Sequence, residues 1–543
     1  MRRIRTGVAA ALWASCLVAA SARADVPRLV VLVSVDQLRT DRVDLELPGG
    51  LGRLAREGRF FRDAVLEHGL TQTCPGHVTM LTGQHPGPAG VPANSFVDPE
   101  TARPVYCVED NAPDAQTLGG TLGRSPRLIR VDALGDWMKR TRPGARVFSV
   151  SQKDRSAIAL GGQRPDAAYW VDRAALGFTT SRYYLSELPE WVRELNRGGE
   201  GLLDGVPEFW EYPVPPDAKR PDAYPAESDQ FQRASPHPVR GETLADSLES
   251  LYFTPYSDLA TLRFARALVE QEQLGERDGT DLLAISLAAT DTVGHLYGPE
   301  SWEARDALQR LDAGLAAFLE FLEQRVGPER LLVVLTADHG VLPLPEWLSE
   351  TGRSRCPADD GRESLRWLGL GLGARLHFEF GPWLSWPASW LVFSGAGLSV
   401  NRPLAAERGV SADAVLDLVE TYLESRESVA RVWTKHEIAN GSGPSEFARL
   451  YANSFDPERS ADLSVQLEAT CLISPFDFGT SHGSPYRYDR AVPLIFWGAG
   501  VEPGSIPGPA ATVDIAPTLA RAIGVEVPEG LAGKPLPLRA RDR

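Results

Sequence analysis

The sequence predicts an α/β fold with a mainly parallel central sheet and helices on both faces. Three observations support this prediction. Apolar runs rich in β-branched residues recur along the chain, as in strands buried on both faces of a parallel sheet. Helix-like stretches lie near most of these runs, and this alternation is typical of α/β proteins. Polar residues with reactive side chains follow the runs directly, where open α/β sheets bind their ligands.

The clearest strand is Leu29–Val35, with the sequence LVVLVSV, and it ends at Asp36. The clearest helix covers residues 303–324, where apolar residues recur at helical spacing and predict an amphipathic helix. Further strands are predicted at 147–150, 282–287, 331–335 and 492–497.

Size and charge exclude several classes of protein. The chain has 543 residues, 43% of them hydrophobic and 24% charged, which argues against disorder, collagen and coiled coil. Its formal net charge of −16 opposes docking on a phosphate backbone or an anionic membrane. We therefore expect no nucleic-acid scaffold partner, and the sequence leaves the oligomeric state open.

The N-terminus has the features of an export signal. Arg2, Arg3 and Arg5 precede an uncharged stretch at 7–22, and Ala22-Arg23-Ala24 matches the small-x-small pattern of a signal peptidase site. We predict a signal peptide at 1–24, cleaved near Ala24, and a periplasmic or secreted protein. No later segment has the roughly 18 apolar residues that a membrane span needs.

The remaining chain, 25–543, is predicted to be the catalytic domain. Two stretches, at about 170–275 and 341–480, are rich in Pro, Trp and Tyr and do not follow the strand and helix alternation, so we predict that they form cap insertions. Four cysteines remain after signal removal, an even number in an oxidising compartment. They allow three pairings, and the sequence does not choose among them: Cys74, Cys107, Cys356 and Cys471.

Polar residues at the strand ends suggest a metal site. Three carboxylates and three imidazoles occur there, without thiols, a set that suits two zinc-like ions with open positions for substrate. An aspartate at a strand end is often only a cap, and His295 alone could be a buried histidine bonded to backbone. Asp291 lies four residues before His295, on the same side of a helical turn. The candidate ligands are Asp36, Asp291, His295, Asp338, His339 and His482.

Thr73 is the candidate nucleophile. Pro75 favours the first turn of a helix, so Thr73 would lie beside free backbone N–H groups and the positive end of the helix dipole. With two metal ions nearby, its hydroxyl could ionise near neutral pH. The alternatives are that Thr73 is only an N-cap, or that the adjacent Cys74 is the nucleophile, although no base lies near Cys74 in sequence.

Candidate anion-binding groups follow the strand at 147–150. Lys153 and Arg155 are two residues apart, so in extended structure they would project to one face and could grip one anion together. The alternative is a solvated charged turn. Asn94 is a neutral donor in a turn and by itself indicates nothing.

The ordered set of motifs resembles the alkaline phosphatase superfamily, and within it the phosphate-irrepressible, PafA-type alkaline phosphatases, which are related to the nucleotide pyrophosphatase/phosphodiesterases. The matching segments run from the first strand to near the C-terminus: Val35-Asp36-Gln37, Thr73-Cys-Pro-Gly-His77, Thr82-Gly83, Asn94, residues 106–110 (YCVED), Lys153-Asp154-Arg155, residues 290–295 (TDTVGH), residues 337–340 (ADHG), His482-Gly483 and residues 513–519 (VDIAPTL).

The resemblance implies two zinc ions and a phosphothreonine intermediate on Thr73. Asp291, His295 and His482 would bind one zinc, on the side of the leaving group. Asn94, Lys153 and Arg155 would hold the phosphoryl oxygens. The second zinc would be bound by Asp36, Asp338, His339 and the Thr73 oxygen.

The predicted function is therefore an exported phosphate monoester hydrolase acting on small-molecule phosphate esters. The alternative within the superfamily is a phosphodiesterase or nucleotide pyrophosphatase. A sulfatase is disfavoured, because Cys74 directly precedes Pro75 and lacks the Cys-x-Pro-x-Arg arrangement. A third alternative is a non-catalytic exported binding protein that uses the metals structurally.

Overall fold

The computed structural model describes residues 26–197, 200–216, 218–381, 390–441 and 446–539. The predicted signal peptide, 1–24, lies outside these residues. The strands of the two larger sheets are β1 (Leu29–Val35), β2 (Arg59–Phe61), β3 (Val147–Ser151), β4 (Ala167–Asp172), β5 (Gly177–Thr179), β6 (Asp281–Leu287), β7 (Leu331–Thr336), β8 (Leu391–Ser394), β9 (Gly397–Val400), β10 (Val429–Thr434), β11 (Leu463–Leu467), β12 (Ile495–Gly498) and β13 (Gly504–Ile506).

Helices of eight or more residues pack around these strands. They are α1 (Gly50–Glu57), α2 (Thr73–Thr82), α3 (Leu134–Thr141), α4 (Asp154–Gly161), α5 (Leu244–Tyr252), α6 (Tyr256–Glu272), α7 (Ala289–Tyr297), α8 (Trp302–Val326), α9 (Leu365–Phe380), α10 (Ala412–Glu424) and α11 (Ile515–Ile523).

The central sheet has nine strands in the order β13-β2-β12-β7-β1-β6-β3-β4-β5. The five neighbours β7, β1, β6, β3 and β4 are parallel, whereas β12 and β5 pair antiparallel with β7 and β4. The predicted α/β class with a mainly parallel sheet is confirmed. Because the inner strands are parallel, their carboxyl ends meet at one edge, and this edge carries the site described below.

The strand β1 shows why an apolar run predicts a central position. Its alternate residues enter two separate hydrophobic cores: Leu29, Val31 and Val33 pack on one face, and Val30 and Leu32 pack on the other. A strand inside the sheet must be apolar on both faces, since helices cover both. Helices α6 and α8 contribute to the first core, and α3 and α11 contribute to the second.

The first predicted insertion, about 170–275, overlaps the central layers at both ends. Strand β5 lies at the edge of the central sheet, and α6 packs into the first core. Several aromatic residues of this stretch are core residues: the ring centroids of Phe178 and Phe264 lie 4.1 Å apart, and Trp210 is fully buried. Parts of the stretch predicted as a cap therefore belong to the central layers.

The region 341–480 contains a four-stranded sheet in the order β8-β9-β11-β10, covered by α9 and α10. We call the part built from β8–β11, α9 and α10 the lobe. It has its own hydrophobic core, which includes Leu372 and Leu376 of α9 and Val415 and Val419 of α10. Within the described residues, no helix combines the length and the apolar character that crossing a membrane would require.

Asp312 stabilises the start of α1 from the neighbouring helix α8. Its side chain is 2% exposed and accepts N–H bonds from Gly49 at 2.6 Å and from Leu51 at 2.8 Å. Since Gly49 has no side chain to cap the helix, we expect Asp312→Ala to lower the free energy of unfolding by about 1–3 kcal/mol in denaturant titrations. Glu320→Ala, on the exposed face of the same helix, is the control and should change stability by less than about 0.5 kcal/mol. Equal losses of stability in Asp312→Ala and Glu320→Ala would contradict this role of Asp312.

Candidate active site

The structure brings the predicted site residues together at the carboxyl edge of the parallel strands. Asp36 directly follows β1, Lys153 follows β3, Asp291 lies in the first turn of α7 after β6, and Asp338 follows β7. These strands are neighbours in the sheet, so residues far apart in the chain become adjacent here. All four side chains are buried, with at most 4% of each residue exposed.

Lys153 lies between two carboxylates. Its Nζ donates to Asp36 Oδ2 at 2.9 Å and to Asp291 Oδ2 at 2.6 Å. Burial lowers the pKa of Lys153, but the charges of Asp291 and Asp36 outweigh this effect and hold its pKa above the ordinary value, so it stays protonated. A solvated charged turn does not describe this residue.

Arg155 reaches the site by a different route from the predicted one. The backbone becomes helical at Asp154, where α4 begins. Lys153 and Arg155 therefore do not belong to one extended segment, as the prediction assumed. Arg155 instead donates from Nη2 to Thr73 Oγ1 at 3.4 Å and from Nη1 to the Tyr106 hydroxyl at 3.3 Å. Tyr106 in turn donates to Asp154 at 2.7 Å. Tyr106 therefore positions Arg155. The sequence analysis did not predict this role for Tyr106.

Thr73 is the first residue of α2 and is 1% exposed. The N-cap of this helix is Gln72, and no side chain caps it, so Thr73 does not act as the cap. Asn94 lies beside the same turn, and its Oδ1 accepts the Cys74 N–H at 2.8 Å. The amide nitrogen of Asn94, and not its oxygen, is thus the group suited to bind a phosphoryl oxygen.

Cys74 is not a free nucleophile, because it forms a disulfide with Cys107. Cys107 directly follows Tyr106, so this bond ties the start of α2 to the segment that holds Arg155. The other disulfide joins Cys356 to Cys471.

The three predicted histidine ligands share one arrangement. Each donates its Nδ1 hydrogen to a backbone carbonyl: His295 to Thr480 at 2.8 Å, His339 to Gly340 at 2.9 Å and His482 to Thr71 at 2.6 Å. Since a carbonyl can only accept, the hydrogen must be on Nδ1 when the ring is neutral, and Nε2 keeps a lone pair. This is the usual second-shell geometry of metal-binding histidines.

The Nε2 atoms lie close to carboxylate oxygens. His295 Nε2 is 3.2 Å from Asp291 Oδ1, and His482 Nε2 is 3.8 Å from the same oxygen. His339 Nε2 is 3.2 Å from Asp338 Oδ2. Ligand atoms of one tetrahedral zinc, with bonds of about 2.0 Å, are about 3.3 Å apart. The spacing therefore matches that of atoms sharing an ion.

His77 is the site residue for which the sequence analysis gave no role. It is fully buried, with Nε2 at 3.2 Å from Asp36 Oδ1 and Nδ1 at 3.4 Å from Asp338 Oδ2. One cluster of metal-compatible atoms consists of Asp36, His77 and Asp338, and another of Asp291, His339 and His482. The signal was present, because His77 lies one helical turn after Thr73 and on the same face of α2.

Several buried polar atoms in the site have no hydrogen-bond partner among the described residues: His77 Nε2, His339 Nε2 and Asp338 Oδ2. Burial raises the pKa of Asp338, but the charges of His339 and His77 more than offset this and lower it. Burial likewise lowers the pKa of His339, and Asp338 reverses the effect and raises it to about 9. Asp338 and the imidazoles thus stabilise each other's charged forms. The donor set of carboxylate oxygen and imidazole nitrogen fits zinc-like ions.

Comparisons with known proteins agree with this geometry. Alkaline phosphatase PhoK from a Sphingomonas species is 33% identical over 94% of this chain and 91% of its own. A Myroides odoratus protein described as a calcium-transporting ATPase is 31% identical over 96% of both chains. The crystal structure of alkaline phosphatase PafA superposes with a TM-score of 0.84 and 29% identity, covering 94% of this chain and 98% of that one.

The family model for type I phosphodiesterase/nucleotide pyrophosphatase matches residues 30–469. That span includes most of the strands that build the site, from β1 to β7, and every predicted site residue except His482. With the full-length similarity to PafA-type phosphatases, it confirms the resemblance stated from the motifs. This chain belongs to the type I phosphodiesterase/nucleotide pyrophosphatase family.

Proposed function

We propose that this chain is an exported metal-dependent phosphatase that hydrolyses phosphate monoesters through a phosphothreonine on Thr73. The observation that carries the proposal is the position of the Thr73 hydroxyl. It is buried at the start of α2, within 3.4 Å of the Arg155 guanidinium, and its helix also carries His77, which contacts the carboxylates of Asp36 and Asp338. The similarity to named alkaline phosphatases confirms the coarser statement that the chain is a phosphate monoester hydrolase.

Two groups of side chains would hold the metal ions, which we propose to be zinc. Zinc when bound supplies Lewis-acid stabilisation of negative charge on oxygen. Asp291, His295 and His482 form the ligand set on the leaving-group side. The set on the nucleophile side is Asp36, Asp338, His339 and Thr73. His339 lies within reach of Asp291 and His482 as well, and we assign it to this set because its Nε2 is 3.2 Å from Asp338 Oδ2. His77 contacts Asp36 and Asp338 and would hold these two carboxylates in place.

The chain's own residues bind and orient the phosphoryl group. The Arg155 guanidinium lies 3.4 Å from the Thr73 hydroxyl, and the Asn94 side chain accepts the N–H of the next residue, Cys74. The guanidinium and the amide nitrogen of Asn94 can therefore donate to phosphoryl oxygens. In the first step the bond from Thr73 Oγ to phosphorus forms as the bond from phosphorus to the ester oxygen breaks, and the alcohol leaves. Water then attacks the phosphothreonine, which releases inorganic phosphate and restores Thr73.

Lys153 distinguishes monoester from diester hydrolysis. A monoester dianion carries more charge on its phosphoryl oxygens than a diester, so it gains more from a buried ammonium. We expect Lys153→Ala to lower kcat/KM for an aryl phosphate by about 100-fold and for the matched aryl diester by less than about tenfold. Initial-rate kinetics on both substrates check this.

The control for this variant is Lys139→Ala, because Lys139 is paired with Asp166 near the surface and away from the site. Lys139→Ala should leave kcat/KM unchanged for both the aryl phosphate and the aryl diester. Equal losses for the two substrates in Lys153→Ala would remove the basis for the monoesterase assignment.

The second candidate function is a phosphodiesterase or nucleotide pyrophosphatase, which the family model favours by its description. Purified protein with a measured metal content should hydrolyse the aryl monoester faster than the aryl diester if the first proposal holds. The reverse preference would favour the second. N-terminal sequencing of the exported protein would test cleavage near Ala24.

A further inference from the structure

A cavity of about 280 Å³ lies where the lobe meets the candidate active site. Its floor includes His482, Gly483 and Gln72, the residue directly before Thr73. Its walls come from the lobe and include Leu368, Leu372, Phe393, Leu398 and Val465.

The Gln72 side chain joins the lobe to the catalytic turn. Its Nε2 donates to the Gly395 carbonyl at 2.7 Å, and its Oε1 accepts the Asn94 N–H at 2.9 Å. Gly395 belongs to the turn between β8 and β9. Because Asn94 also accepts the Cys74 N–H, the floor of the cavity and the start of α2 are parts of one hydrogen-bonded unit.

The position of the cavity indicates its occupant. Its lining includes His482, of the ligand set proposed for the leaving-group side, and Gln72, which precedes Thr73, so the cavity adjoins the proposed site of phosphoryl transfer. Inorganic phosphate would leave this space empty, but the organic part of an ester would extend into it.

The chemistry of the walls restricts this organic part. Leucine, valine, isoleucine and phenylalanine dominate the lining, and no Asp, Glu, Lys or Arg is present among its described residues. Its polar side chains are those of Gln72, His482 and two serines. A sugar would leave hydroxyl groups without partners, and a further phosphate would meet no cation. An alkyl or aryl group would bury apolar surface.

We propose that this cavity binds the apolar leaving group of the substrate, so that the enzyme prefers phosphate monoesters of alkyl or aryl alcohols. This inference rests on the proposed monoesterase function and adds the substrate class. The half-exposed ring of Phe393, 46% exposed, supplies an aromatic surface at the cavity wall for such a group.

A series of n-alkyl phosphates from methyl to hexyl tests the proposal, because the alcohols differ little in acidity while their apolar surface grows. We expect kcat/KM of the unmodified enzyme to rise up to about threefold to fourfold per methylene until the cavity is filled. Release of inorganic phosphate measures the rates. A flat series would overturn the proposal.

Gly369 allows the cavity to be filled without disturbing the fold. It lies on α9 at the cavity wall, and a Cβ at this position would meet no atom within 4 Å. We expect Gly369→Leu to lower the ratio of kcat/KM for hexyl over methyl phosphate at least tenfold. The control is Gly144→Leu, at a glycine that also has open space around it and does not line the cavity, and it should leave the ratio unchanged.

Binding provides a readout that does not depend on turnover. Hexylphosphonate should bind more tightly than methylphosphonate by calorimetry, and Gly369→Leu should remove the difference. If no monoester is hydrolysed while the difference in binding persists, the proposed function fails but the apolar subsite stands. Gly369→Leu could instead leave the ratio of kcat/KM for hexyl over methyl phosphate unchanged and convert a dimer to a monomer. That result would assign this face to a second copy of the chain and overturn the proposal.

Discussion

Thr73→Ala is expected to lower kcat/KM for an aryl phosphate monoester by at least about 10⁴-fold, the largest effect of any single substitution proposed for this chain. The substitution removes the oxygen that would form the bond to phosphorus, and the adjacent thiol cannot replace it, since Cys74 is bonded to Cys107. Steady-state kinetics on the purified variant measure the loss.

Two further measurements separate loss of the nucleophile from loss of structure. Thr73→Ser keeps a hydroxyl at this position and should restore at least part of the activity. Acid quenching with labelled substrate should trap a phosphothreonine in the unmodified enzyme and none in Thr73→Ala. Turnover of Thr73→Ala within tenfold of the unmodified enzyme, or a label on another residue, would show that Thr73 is not the nucleophile.

Removal of metal is expected to have the next largest effect. Chelation should abolish hydrolysis, and added Zn²⁺ should restore it, because the carboxylates and imidazoles of the site would lose the cations that balance their charge. Metal analysis should find about two ions per chain in the active enzyme.

His339→Ala tests whether the site itself holds these ions. We expect it to lower the bound metal from about two ions to about one per chain, together with activity. His436→Ala is the matched control, since His436 is an exposed histidine outside the site, in the short helix Lys435–Ala439 that follows β10. Full metal content in His339→Ala, or activity that resists chelation, would contradict the proposed ligand sets.

The sequence was sufficient to predict the central sheet and the residues at its edge. Leu29–Val35 is apolar on both of its faces, and such a strand can only be stable between two layers of helices. Asp36 directly follows such a strand, and Asp338 lies two residues after the end of β7. In a parallel sheet the ends of such strands meet, so their proximity could be predicted without coordinates.

His77 and Tyr106 show where such reasoning stops. Both act through contacts with residues far away in the chain: His77 with Asp36 and Asp338, and Tyr106 with Arg155. The spacing within α2 places His77 on the same face as Thr73, but it does not show which distant residues His77 contacts. Composition is similarly ambiguous in the first predicted insertion, since an aromatic residue such as Phe264 packs into the central core.

Periodicity and strand-end chemistry thus predict a mainly parallel sheet and the kinds of ligand at its edge. Both can be recognised within short segments, because a strand buried on both faces is apolar and the residues after it are polar. The pairing of the cysteines, the contacts of Lys153, and the meeting of Gln72 with Gly395 of the lobe depend on the folded arrangement. These contacts join segments that are tens to hundreds of residues apart, and the packing that brings such segments together has no local signature in the chain.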